Sequence, residues 1–171
     1  MNLQFFLEKL KHSDAFKEFI EKDKGAYFCS GFFTIDLEGS DNQKHLDYYS
    51  PIEKKIIGFR LDSGVEKIVS EPRFDPGADF GAPSEISDDV DFEFKDLQDA
   101  IDSEIEKRDL KTKISKILLS LQVVEGKVVL VCTVFVSRFG LLKVNVELPE
   151  MKIISFEKKS IFDLISMDKK K

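Results

Sequence analysis

Residues 128–136 read VVLVCTVFV, a run that is apolar on both faces of a strand apart from Thr133. Val129, Val131 and Phe135 fall on one side, and Val128, Leu130, Cys132, Val134 and Val136 on the other. A strand in a sheet backed by helices on one side needs only one apolar face. The second face must therefore meet the other half of the protein or another chain, because leaving it in water forgoes several kcal/mol and invites aggregation. Nine residues are far too few for a helix that spans a bilayer. Of all features in the chain this run points most directly to packing and assembly, and Val129, Val131 and Phe135 are the candidate interface residues.

The neighbouring segments have the same β character. KISKILLSLQVV (113–124), GLLKVNVEL (140–148) and KIISFEK (152–158) are separated by turn chemistry at Glu125–Gly126, Arg138–Phe139–Gly140 and Pro149–Glu150. Ahead of them, FKDLQDAIDSEIEKRDL (94–110) places Leu97, Ala100, Ile101 and Ile105 at helical spacing. SIFDLIS (160–166) predicts a last short helix with Ser160 as N-cap and Asp163 three residues on, followed by a basic tail, Lys169–Lys171.

The first half repeats that order. Leu3, Phe6, Leu7, Leu10, Phe16, Phe19 and Ile20 follow helical spacing, with Ser13–Asp14 able to start a second helix. AYFCSGFFTIDLE (26–38) predicts a strand with Tyr27, Cys29, Phe33, Ile35 and Leu37 on one face. KHLDYYS (44–50) and KKIIGFRLD (54–62) predict two more strands, and VEKIV (65–69) a short edge strand. One phrase occurs twice, PIEKKIIGF (51–59) and PEMKIISF (149–156), each time opening what reads as the last long strand of its half. Two readings stand open: duplication of an α-β-β-β unit, or two unrelated hairpins that share strand words. The expected fold is α+β, with helix-plus-antiparallel-sheet halves at 1–69 and 94–171. Between them, 70–93 forms an acidic Pro/Gly linker or loop, with Ser70–Asp91 its most mobile part.

Residues 95–157 resemble PepSY-like units, through EGKVVLVCTVFV (125–136) and LLKVNVELPEMKIISFEK (141–158) in place of that family's "gk…v" and closing strands. Where the family commonly has Asp and Gly in the final turn, this chain has Glu147 and Glu150. The resemblance implies a cystatin-like helix-on-sheet fold and inhibitory or binding roles, and it supplies no catalytic residue.

Composition narrows the function classes. The chain has 171 residues, 42% apolar and 34% charged, with sixteen Phe, three Tyr and no Trp. That predicts a soluble globular protein whose core is dominated by phenyl rings. Of the net charge of −6, residues 62–95 carry ten acids against three bases, and the rest of the chain is close to neutral. Nothing resembles a basic stripe, so nucleic acid is not an expected partner. No signal sequence or membrane segment is apparent, and Cys29 and Cys132 lie in apolar runs, so a cytoplasmic protein with reduced core thiols is expected.

Chemistry-bearing patterns are few. His12 and His45 are not at ligand spacing from a Cys, no glycine-rich phosphate loop is present, and SDDVDFEF (87–94) lacks the order of a calcium loop. No metal and no cofactor is expected. Only KHLDYY gathers a His, a carboxylate and two phenols, with His45, Asp47 and Tyr49 on one face of a strand. A concave sheet so decorated could bind a small molecule or run the acid–base chemistry of a hydrolase-like enzyme. The competing reading of the trio is a solvent-facing polar stripe. The leading expectation is a non-enzymatic module that binds another protein or a second copy of itself.

Overall fold

The computed structural model describes residues 1–69, 81–137 and 140–160. Ser13 splits the N-terminal apolar periodicity into two helices, α1 (Leu3–Lys11) and α2 (Asp14–Lys22). Its hydroxyl accepts the Phe16 amide while donating to the Leu10 carbonyl, which ends one helix and starts the next. Four strands follow: β1 (Tyr27–Asp36), β2 (Lys44–Ser50), β3 (Lys55–Arg60) and β4 (Glu66–Val69). After α3 (Phe94–Lys107) come β5 (Ile114–Val124), β6 (Lys127–Val136), β7 (Gly140–Glu147) and β8 (Lys152–Ser160). The predicted terminal helix at 160–166 and the basic tail lie outside the described residues, Ser160 apart, which ends β8.

All eight strands join one antiparallel sheet in the order β4-β3-β2-β1-β5-β6-β7-β8. This corrects the expectation of two α-β-β-β halves of the cystatin or PepSY kind. Each run of strands has four members, and β1 pairs with β5 from Gly31↔Leu121 to Asp36↔Lys116, so neither run has a sheet of its own. Both strands at the junction thereby lose the free edge that a separate sheet would expose.

The repeated phrase also falls at non-equivalent places. Lys55–Phe59 is in β3, an interior strand, whereas Lys152–Phe156 is in β8, at the sheet edge. Both copies follow a turn that begins near a proline and whose last residue has positive φ, Lys54 (52°) and Met151 (52°). The shared words describe a shared turn and carry no duplication.

The helices lie on one face. Phe16 and Phe19 of α2 pack on Tyr48 and Phe59 at ring separations of 4.8 to 6.4 Å, and Phe6 of α1 meets Phe33 at 5.8 Å. In α3, Leu97, Ile101 and Ile105 are buried, and Arg108 beyond its end stacks over Phe156 of β8 at 4.3 Å. Below them Leu119, Cys132 and Val144 form one cross-strand row. Cross-strand pairs of this kind hold a sheet face together. Residue parity in β1 is interrupted by a bulge between Phe28 and Ser30. Phe28 therefore shares the helix side with Phe33, and Tyr27 pairs with Tyr49 on the other face, which corrects the single apolar face predicted for Tyr27, Cys29 and Phe33.

Residues 81–93 form no regular element but are fastened to the sheet and to α1. The Ile86 amide donates to the Phe28 carbonyl (2.8 Å), and Ile86 and Phe92 are buried. The Asp91 carboxylate accepts from the Gln4 amide and the Asn2 side chain at the start of α1. Residues 70–80, where the sequence predicts the most mobile part of the chain, lie outside the described residues.

One buried polar knot ties α2 to the β2–β3 turn. Asp23, which caps α2, accepts from Ser50 Oγ (2.5 Å), the Gly25 amide (3.1 Å) and the Ile52 amide (3.4 Å). Asp23→Ala would leave these donors unpaired at a cost of about 1–3 kcal/mol. For a chain of this size the melting temperature should fall by about 2–10 °C. A change within about 1 °C would show that the knot contributes nothing.

Candidate functional site

The face of the sheet turned away from the helices carries His45, Asp47 and Tyr49, as their alternation on β2 predicts. Across the ladder they meet Phe32, Ser30 and Tyr27 of β1, and Arg60, Gly58 and Ile56 of β3. Ser30 Oγ donates to Asp47 Oδ2 at 2.7 Å. A Cβ on Gly58 would stand 3.1 Å from Asp47 Oδ1, so glycine there leaves room for the carboxylate. The Tyr49 ring packs on Tyr27 (5.4 Å between centres), and His45 meets Phe32 edge-on at 6.3 Å.

The trio shares a face but does not form a relay. Among the described residues, no hydrogen bond joins His45 to Asp47 or Tyr49, whereas a nucleophile–base–orienter arrangement requires such contacts. Burial raises the Asp47 pKa above the ordinary carboxylate value, with the Ser30 hydrogen bond and nearby His45 opposing it. Burial, and then the Asp47 charge, pushes the Cys29 thiol up to about 12, and burial alone does the same for Cys132. Both cysteines are buried and unlinked, so at neutral pH they are protonated thiols and poor nucleophiles. No cluster of three metal-ligating side chains occurs among the described residues.

On the same face, β6 presents Val129, Val131, Thr133 and Phe135. Val131 and Phe135 are half-buried, whereas their neighbours Leu130 and Cys132, under the helices, are fully buried. Val129, opposite Glu147, is only 1% exposed.

A second site was not anticipated from the sequence. At the seam where α1 and α3 meet above β1, Phe6, Phe33 and Phe94 form a triangle of rings with centres 5.8, 5.8 and 5.0 Å apart. Beside it opens a cleft of about 350 Å³, completed by Met1, Thr34, Ile35, Asn42 and Lys44. Lys44 Nζ donates to the Asn42 carbonyl (2.9 Å), stands 5.9 Å from the centre of the Phe6 ring, and meets no carboxylate among the described residues. These residues are scattered over most of the chain. The phenylalanines fall at different places in their elements, Phe94 opening α3 and Phe33 late in β1, so no local pattern in the sequence marks the cleft.

The wall formed by the β1–β2 loop is held firmly. The Asp36 carboxylate accepts the amides of Glu38, Gly39 and Asp41, and Lys116 of β5 stands 3.4 Å from Asp36 and 3.1 Å from Asp41. Partial burial would raise the Asp36 pKa, but these donors outweigh it and hold the group below its ordinary value.

No protein-family model matches the chain, and no curated protein matches it. A crystal structure of a "putative lipoprotein" from Clostridium difficile 630 is similar over 85% of this chain and 91% of its own, with a TM-score of 0.51 and 11% identity. That likeness concerns the fold alone. The comparisons return nothing on the PepSY-like resemblance. None of the described helices is long and apolar enough to cross a membrane.

The Asp47 environment gives a pH test. Because the folded pKa lies above the unfolded value, the ionised carboxylate costs stability, fully so above the folded pKa and not at all below the unfolded one. Asp47→Asn, which keeps an acceptor for Ser30, should raise the melting temperature at about pH 7, and the gain should vanish by about pH 4. Destabilisation at neutral pH would mean that the charge is used for binding within the fold.

Proposed function

We propose that this chain is a non-enzymatic, cytosolic binding module whose helix-free sheet face docks another polypeptide, in the first instance a second copy of itself. The observation that carries this reading is the difference between the two sides of β6. Leu130, Cys132 and Val134 are buried on the helix side, while Val131 and Phe135 stay half-exposed on the face that also carries Leu118 and Phe32. An isologous pair would set these columns against each other and satisfy the second apolar face.

Size supports the reading. Eight strands at about 4.8 Å spacing make a face about 38 Å wide, and ten-residue strands run about 33 Å. A standard interface needs about 800 Å² per partner, which fits within that face. Two separately buried cysteines, Cys29 in β1 and Cys132 in β6, with no disulfide between them, suit a reducing compartment. A hydrolase-like role for His45, Asp47 and Tyr49 has less support, since Asp47 is engaged by Ser30 and Tyr49 by Tyr27.

Two aspartate substitutions one residue apart separate folding from docking. Leu130→Asp buries a charge under the helices and should unfold the chain. Val131→Asp should leave a chain that still folds and melts cooperatively but should abolish self-association, and with it any dependence of the melting temperature on concentration. Sedimentation equilibrium over about 10–100 μM should show a concentration-dependent mass for the wild type and a monomer for Val131→Asp. A wild type that stays monomeric throughout, or a Val131→Asp variant that associates equally well, contradicts self-docking.

A further inference from the structure

We propose that the cleft between α1 and α3 is a binding site for a small amphipathic monocarboxylate, with its apolar body among Phe6, Phe33 and Phe94 and its carboxylate on Lys44. This goes beyond the sheet-face reading and uses the opposite side of the molecule. Elsewhere in the core aromatic groups close on themselves, as Phe16, Phe19, Tyr48 and Phe59 do. At the seam the rings instead border an opening of about 350 Å³. That is near the lower end for small-molecule pockets. At about 30 Å³ per water it matches roughly a dozen water volumes, the scale of a ligand with about ten to twelve non-hydrogen atoms.

The charges at the cleft define the class of ligand. Lys44 is a cation at the rim with no acid partner among the described residues, and the Asn42 carbonyl and the Phe6 ring hold its ammonium in place. Glu93, next to the Phe94 wall, is already paired with the Met1 ammonium at 2.9 Å. A single cation without an acid partner among the described residues, beside an aromatic surface, suits one carboxylate; a phosphate would bring about two charges to a cleft whose other cation, the Met1 ammonium, is already paired with Glu93. A cationic ligand would meet Lys44 unfavourably. The walls are set before binding, because Asp36 and Lys116 fasten the β1–β2 loop and Asp91 fastens the start of α1. Preorganisation of this kind reduces the ordering cost of binding.

The probe is 3-phenylpropionate, with 3-phenylpropanol as its neutral counterpart, titrated by calorimetry and followed by NMR shift changes. The wild type should bind the acid about tenfold or more tightly than the alcohol. Lys44→Met, a rim change that leaves the backbone pairing intact, should bind both alike, with the melting temperature unchanged. Val131→Asp on the far face should leave the acid's affinity unaltered, which separates this site from sheet-face docking. Shift changes should centre on Phe33, Lys44 and Phe94. No saturable binding up to about 10 mM, equal affinity for acid and alcohol in the wild type, or shifts centred on Asp47 would overturn the proposal.

Discussion

The pairing of β1 with β5 is the interaction on which the rest of the molecule depends. Six consecutive residue pairs, from Gly31↔Leu121 to Asp36↔Lys116, join residues 80 to 90 positions apart in sequence. Without them each four-stranded sheet would present an unpaired edge, and backbone groups left without partners are costly wherever water is excluded. With them, one sheet carries α1 and α2 over one part and α3 over the other. The helix seam then falls directly above β1, and the cleft at that seam is a consequence of the join. Lys116 reinforces it by reaching from β5 to Asp36 and Asp41 on the far side of the junction.

The two faces of the sheet have different tasks. On the helix side burial is nearly complete, and phenyl rings fill the space under α1 and α2 with tilted and edge-on contacts that contribute beyond their area. On the other side apolar residues alternate with Ser30, Asp47, Ser120 and Asn145, a mixture that tolerates water and can also meet another surface. On that face the Asp47 carboxylate is accommodated by a hydroxyl on one neighbouring strand and a glycine on the other.

Local elements were well marked in the sequence because they rest on short-range physics. Ser13 could be recognised as a helix start, Glu125–Gly126 as a turn, and 44–50 as a strand with its exact bounds. At Glu125 and Gly126 both φ values are positive (51° and 79°), the mirror-image turn that suits a twisted hairpin. The apolar doubling of β6 asked for cover on both faces; Leu130 and Cys132 are buried on the helix side, and Val131 and Phe135 on the other are half-buried. What could not be read was which strand meets which across a long separation. The repeated Pro…Lys-Ile-Ile phrase encouraged an assignment to two halves, whereas its common content is a turn with a left-handed residue before the strand. The bulge at Phe28–Ser30 was equally silent, since the one extra residue that inverts facing leaves no compositional mark. The cleft was invisible for the same reason as the β1–β5 join: Phe6, Phe33 and Phe94 become neighbours only once the sheet is continuous.

Native-state hydrogen exchange tests this account most directly. If one sheet runs through the β1–β5 junction, the amides of Phe33 and Ile35 in β1 and of Ile117 and Leu119 in β5 should be among the slowest to exchange. They should open with one common free energy, equal to that of global unfolding. Distinct opening free energies for residues 27–60 and 114–159, with the β1–β5 amides exchanging as a frayed edge, would contradict it.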